Sequence, residues 1–518
     1  MRALPILLLV CACSGGGGGG SDPAPPPAPA PAGQVVVSGL SPFAPSCGGT
    51  GGTSYVNSEV EPHLAVNPRD ANHLVAAWQQ DRWSNGSARG LLSAVSLDGG
   101  ATWTISQAPF AECNGGTPAN GGGFQRATDP WVAFAADGIA YQMGLATNGS
   151  SFTEDSSNAM TVSRSADGGR TWSNPVSLIH DFGADFFNDK NTITADPFDA
   201  RFVYAVWDRL RRGANGPTYF ARTIDGGATW EPARNIYNPG AQSQTIGNLI
   251  RVLPGGTLVN LFTHLDGTNT ATPTGSLRVI RSTDRGATWS APTIVSSHQP
   301  LGARDPVTGR KVRDGSVIAQ MAAGPDGSLH VVWQDGRFTG ARDAIAYARS
   351  MDGGLTWTAP VRVNADPNVT AFMPQVHVLA NGTIGVAYYD FRSDTPDVET
   401  LPTDYWLARS ADGVAWTETR VAGPFDLLLA PDAGGLFLGD YMGLEGAGTN
   451  FLSLHVRTTG NIVNRTDVFF ARVPAAVPGL AYAASGPKAA LRDAAFERRV
   501  GENLARASSS RRVRSHEP

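Results

Sequence analysis

This chain has no long apolar run. The apolar stretch near its start, Leu4 to Val10, is too short to cross a bilayer as a helix. Charge is scarce as well: 16% of the 518 residues are charged and the formal net charge is −5, which argues against a nucleic-acid binder. The nine histidines are scattered, with neither a two-histidine helix motif nor a paired-cysteine spacing, so zinc finds no ligand set. A Gly-x-Ser-x-Gly elbow and a phosphate-binding loop are both absent.

What the chain has in quantity is turn chemistry, with 61 glycines and 36 prolines. One motif recurs, Ser/Thr-x-Asp-x-Gly-x-Thr-Trp. It reads SLDGGATW from Ser96, SADGGRTW from Ser165, TIDGGATW from Thr223, STDRGATW from Ser282 and SMDGGLTW from Ser350, with a contracted copy, SADGVAW, from Ser410. The closing residues Trp103, Trp172, Trp230, Trp289, Trp357 and Trp416 stand roughly 60 residues apart, the spacing of a radial all-β array.

Each copy has a physical reading. The glycine after Asp permits positive φ in a tight turn. The Asp and Ser/Thr side chains bond backbone amides within that turn, and the Trp opens the next strand with a large apolar face to bury. A structural role outweighs a catalytic one, because a site is built once and not six times.

At these residues the chain resembles the Asp-box, or bacterial neuraminidase repeat, proteins, of which sialidases are the best known. The resemblance covers residues 34–475. It implies a β-propeller with the boxes between the third and fourth strands of each blade, on the side away from the active site.

Seven hairpins with alternating apolar residues and DG, GG or NG turns begin at His63, Trp131, Thr192, Leu249, Val317, Gln375 and Gly443. Only six boxes accompany them. The seventh unit ends in VFFARV, Val468 to Val473, with no fourth strand following, whereas GQVVVSGL, Gly33 to Leu40, is a β-rich segment without a hairpin of its own. Pairing these two ends would close the ring and leave no open edge. Seven blades of four antiparallel strands are therefore expected, with the six blades of known sialidases as the alternative.

The ends carry addresses. Arg2, the short apolar run and Val-Cys-Ala-Cys read as a secretory signal over residues 1–13, with Cys13 placed as the lipidated cysteine of a lipobox; a plain secretory signal is the alternative. A Gly/Pro/Ala tether, residues 14–33, follows. This predicts a protein of the cell envelope, lipid-anchored and extracytoplasmic, touching the membrane through the anchor alone. Beyond the propeller, residues 476–518 form a largely disordered tail in which Ala489 to Arg506 has the pattern of a short helix. Outside the leader, Cys47 and Cys113 are an isolated pair, bridged in an oxidising compartment or else two free thiols.

In a propeller, the loops joining second to third strands and those entering first strands share the funnel face, the default ligand site. Acids and arginines gather there: Asp81-Arg82, Asp208-Arg209, Asp335 with Arg337 and Asp390 with Arg392 at second-strand ends, and Glu61, Asp129, Asp189, Asp314 and Asp440-Tyr441 before first strands. Such pairs either clamp a ligand carboxylate or tie neighbouring blades together. The sialidase resemblance implies an arginine triad on a sugar carboxylate, a tyrosine activated by glutamate and an aspartate acid/base. Carried onto this chain, Tyr441, Glu61 and Asp129 become the catalytic candidates, and Arg82, Arg337 and Arg392 the substrate-binding ones. No Arg-Ile-Pro triplet precedes Ser96, a departure from the sialidase pattern. The reading is a monomer engaging a glycan or cell-surface polymer, with hydrolysis of a terminal acidic sugar open, and a non-catalytic binder of protein or polysaccharide as the alternative. No cofactor is expected beyond a structural calcium that Asp-rich turns are able to hold.

Overall fold

The computed structural model describes residues 33–476, 481–487 and 493–509. The signal segment, Cys13 and nearly all of the tether lie outside them. Among the described residues the chain is almost entirely β, with one α-helix, Ala494–Ser509.

Most strands fall into successive antiparallel groups of four, the first two of which are joined into one nine-stranded sheet through Ala88 and Ala127. The innermost strands are Val60–Asn67, Arg126–Phe134, Phe186–Ala195, Gln244–Val252, Gln320–Ala323, Ala371–Val378 and Gly443–Ala447. Each packs on the next, and Gly443–Ala447 packs back on Val60–Asn67. In the last group the fourth strand comes from the other end of the chain. Gln34, Val35 and Val36 pair with Ala471, Phe470 and Phe469, and Val37 N–H donates to the Val468 carbonyl at 2.8 Å.

Second strands supply the deepest core, with Trp78, Trp207 and Trp333 fully buried. The six repeated turns join one group to its predecessor. In the first, Ser96 Oγ takes the Gly100 N–H at 2.8 Å, and Asp98 takes the Thr102 N–H and hydroxyl at 2.9 and 2.6 Å. These bonds, the Thr102 hydroxyl foremost, hold the Asp98 carboxyl down at about 2. The contracted copy keeps the pattern with Gly413 donating to Ser410 Oγ. The glycine has a second reason besides its φ of +92°: a Cβ on Gly100 would stand 2.1 Å from the Phe470 ring. Trp103 meets the same ring edge-on at 5.5 Å.

Cys47 and Cys113 are joined by a disulfide, with Cα atoms 5.4 Å apart. The C-terminal segment requires a correction. Tyr482–Ala483 extends the sixth group by pairing with Trp416 and Ala415. Helix Ala494–Ser509 buries Phe496, Val500 and Leu504 against Ile246, Leu265, Leu301, Val317 and Ile318, so this part of the tail is docked on the funnel face. Burial of three apolar side chains, about 1.5–3 kcal/mol each, outweighs the fraying expected of a terminus.

Candidate functional site

The inner strands share a local device that aims side chains at the axis. In five of them the register slips by a bulge, and the residue there has positive φ: Glu61 (53°), Asp129 (53°), Lys190 (49°), Gly247 (69°) and Met373 (54°). For the four non-glycine residues this left-handed backbone costs about 1–2 kcal/mol each. The bulge turns Glu61, Asp129 and Lys190 to one point.

There Lys190 Nζ donates to Asp440 Oδ2 at 2.7 Å, to Asp129 Oδ1 at 2.8 Å and to Glu61 Oε1 at 3.2 Å. Arg313 Nη2 reaches the same Asp440 Oδ2 at 2.7 Å. Arg313 is carried there by a two-residue parallel pairing of Val312–Arg313 with Leu436–Phe437, and its guanidinium lies 4.4 Å from the Phe437 ring. Arg82 lies 4.8 Å from the same Phe437 ring and donates to Gln79 Oε1 at 2.7 Å, while Gln79 Nε2 donates to Glu61 Oε2. The Asp440 N–H donates to Glu61 Oε1 at 3.2 Å. Every member except Arg313 is buried.

Burial pushes the Glu61 carboxyl up to about 8, with Lys190 opposing and Asp129 and Asp440 adding to the rise. Asp129 also resists burial, but the Lys190 ammonium and a hydrogen bond from Glu61 bring it below its ordinary value. Asp440 is held far lower, because Arg313 and Lys190 overcome its burial. Burial alone would neutralise Lys190; Asp129, Asp440 and Glu61 keep it firmly protonated. Three cations, Lys190, Arg313 and Arg82, thus face the three carboxyl groups of Glu61, Asp129 and Asp440. Such a cluster satisfies itself.

The catalytic candidates Glu61, Asp129 and Tyr441 are thus brought together. The Tyr441 hydroxyl donates to the Pro130 carbonyl at 3.0 Å, and its ring lies 5.9 Å from Lys190 Nζ and 5.1 Å from Trp131. Burial, and then the charges of Glu61, Asp129 and Asp440, raise its pKa well above the ordinary phenol value. The arginine candidates separate. Arg82 belongs to the central cluster. Arg337 pairs with Asp335 at 2.6 Å on its own unit, and Arg392 pairs with Asp390 at 2.6 Å and Glu418 at 2.9 Å. Asp314 takes the Ala303 N–H at 2.6 Å and Gln334 Nε2 at 2.8 Å, away from the cluster. Glu445 lies 3.4 Å from His377. Among the described residues no group of three His, Cys, Asp or Glu side chains is disposed to hold a metal ion.

Lys190 and Arg313 escaped the sequence reading, which chose their neighbours Asp189 and Asp314. A signal for Lys190 exists. The left-handed residue is followed by Pro or Asn in Glu61-Pro62, Asp129-Pro130, Lys190-Asn191, Gly247-Asn248 and Met373-Pro374; aligning on that step selects Lys190 over Asp189. Arg313 has no comparable signal, since it enters from a loop.

Beside the cluster, Trp131, Lys190, Gly247, Ile318 and Tyr441 line a narrow cavity of about 20 Å³, room for about one water. The docked helix covers its Ile318 side.

No protein-family model matches the chain, and no curated protein matches it. Among solved structures it is similar to a protein of unknown function from Dyadobacter fermentans, at 14% identity over 85% of this chain and 97% of that one, with a TM-score of 0.45. It is also similar to the α-L-arabinanase of Penicillium chrysogenum, at 16% identity over 70% and 94% with a TM-score of 0.44. The intramolecular trans-sialidase from Ruminococcus gnavus aligns at 13% identity over 81% and 95% with a TM-score of 0.39. Sialidases, trans-sialidases and arabinan-cleaving enzymes are thus among the structural neighbours of this chain.

Proposed function

We propose that this protein is a seven-bladed propeller of the cell envelope, anchored through lipid on Cys13, that binds a surface glycan on its funnel face without sialidase-type turnover. The blade count is supported by the cyclic packing of seven inner strands and by the N-terminal strand paired into the last group.

The observation that carries the binding reading is Asp440. Its Oδ2 takes both Lys190 and Arg313 at 2.7 Å, so the two cations best placed to clamp an incoming carboxylate already hold one of the chain's own. Arg337 and Arg392 are each committed to a neighbouring aspartate, and Tyr441 has its proton held by burial and surrounding negative charge. A nucleophilic tyrosine needs the opposite environment. A second reading, hydrolysis, is favoured by the Glu61–Asp129 carboxyl pair, where one group is neutral and the other ionised, as an acid and a base would be.

The full chain, offered immobilised acidic and neutral polysaccharides, is expected to be retained by at least one of them with no release of reducing sugar. Retention by none, or sugar release from a retained polymer, contradicts the proposal.

A further inference from the structure

The funnel face carries a larger opening away from the axis. Between the third and fourth groups, Phe152, Leu210, Arg211, Arg212, Gln242 and Gln244 line an open cleft of about 230 Å³. Its walls are preformed. Arg211 ends strand Val203–Arg211, and the turn after it is closed by Ala214 N–H donating to the Arg211 carbonyl at 3.1 Å, with Gly213 at φ +66°. The Gln242 N–H donates to the Ala214 carbonyl and the Thr268 N–H to the Gln242 carbonyl, both at 2.8 Å, so three loops are bonded across the cleft. The end of helix Ala494–Ser509 closes one edge at Ser508.

The lining is asymmetric. Phe152 and Leu210 are buried apolar surface, whereas Arg211 and Arg212 are exposed and have no ion pair among the described residues. Gln244 is 6% exposed, and its Nε2 has no hydrogen-bond partner among the described residues. A buried amide donor left unpaired costs about 1–3 kcal/mol, a cost that an acceptor delivered into the cleft removes.

We infer that this cleft binds an acidic oligosaccharide. Arg211 and Arg212 take its carboxylates in charge-assisted pairs. The carboxamides of Gln242 and Gln244 take its hydroxyls and ring oxygens, and Phe152 with Leu210 receives an apolar sugar face. The C-terminal end of the helix carries a partial negative charge, unsuited to an anion, so carboxylates are confined to the arginine side. This inference rests on the binding reading above and gives it a place and a ligand class.

The test is calorimetry of the full chain with oligogalacturonate and with its methyl-esterified, uncharged counterpart. Saturable binding is expected to oligogalacturonate, weakened about tenfold or more by esterification and by the double substitution R211A/R212A, as the loss of charge-assisted hydrogen bonds requires. Both arginines are exposed, Arg211 at a strand end and Arg212 in the turn after it, so the variant is expected to fold; Gln242→Ala is a second probe of the same wall. Equal affinity for the neutral ester, or undiminished binding by both variants, overturns the cleft while leaving glycan binding in place. Absence of binding to oligogalacturonate by wild type also overturns it, and if the whole polysaccharide panel fails as well, the binding reading falls with it.

Discussion

Arg472 Nη2 donates to the carbonyl of Gly99 at 3.1 Å, joining the last group of strands to the first repeated turn. The same joint recurs around the molecule. Arg164 donates to the Gly226 carbonyl at 3.0 Å, Arg222 to that of Arg285 and Arg349 to that of Asp412 at 2.7 Å. In each case an arginine at the end of a third strand reaches the turn of the following group. These arginines are stitches between neighbouring groups.

Arg409 occupies the same position in the sixth group, but the seventh has no repeated turn to receive it. Its side chain is 3% exposed, and among the described residues none of its three guanidinium nitrogens has a hydrogen-bond partner. Burial lowers its pKa to about 10. Removing a buried unpaired polar group recovers about 1–3 kcal/mol, so Arg409→Met is expected to raise the urea midpoint at unchanged slope, while Arg164→Met lowers it. A lower midpoint for Arg409→Met would show that the guanidinium has a partner after all.

Gly100→Ala tests the joint from the other side. It imposes a left-handed backbone on alanine, about 1–2 kcal/mol, and drives a methyl group into Phe470, about 1–3 kcal/mol more. Thermal unfolding should drop by several degrees. Gly255→Ala is the control: it shares the positive φ but meets nothing within 4 Å, and it should cost only the backbone part.

The central cluster makes stability depend on pH in a particular direction. Glu61, with an ordinary value of 4.5, is raised to about 8, so its contribution is full below about pH 4.5 and is lost as pH rises through 8. Burial raises Asp343 to about 8 and Asp390 and Glu445 to about 7, with the same sign. Asp129 and Asp440 are depressed, so theirs is present above the ordinary aspartate range and lost on acidification. The melting temperature should peak in mild acid, near about pH 5, and fall towards about pH 8.5. Glu61→Gln should flatten that fall, since glutamine cannot ionise. An equally steep fall in the variant would remove Glu61 as its source.

How legible the molecule was depended on the distance over which partners act. The repeated turns were readable because Ser96, Asp98, Gly100 and Thr102 bond one another within seven residues. The closing strand could be inferred from what was left over at each end, a strand without a hairpin and a group without a fourth strand. The axis was harder. Lys190 meets Asp440 across 250 positions, and the bulge that aims it shifts the facing residue by one, which is why Asp189 was chosen. Arg337 and Arg392 stand just past second-strand ends, and composition does not reveal that Asp335 and Asp390, two residues earlier, would hold them. The terminal helix was visible as a pattern; its docking was not, because the surface that receives it is assembled from a strand start, Ile246, and from loop residues, Leu301 and Ile318, that share no period.

Anchoring is tested independently of the fold. Cys13→Ala should leave an unprocessed or soluble form in fractionated cells. A processed variant that stays with the membrane would mean that the anchor is elsewhere.

The most direct test of the central claim, that the axial cations are closed to substrate by Asp440, is release of a fluorogenic group from an α-sialoside by purified wild-type protein beside Tyr441→Phe. The account predicts that wild type releases no more than the variant or buffer alone. Release by wild type that Tyr441→Phe abolishes would contradict it, and would make Tyr441, Glu61 and Asp129 a working catalytic set.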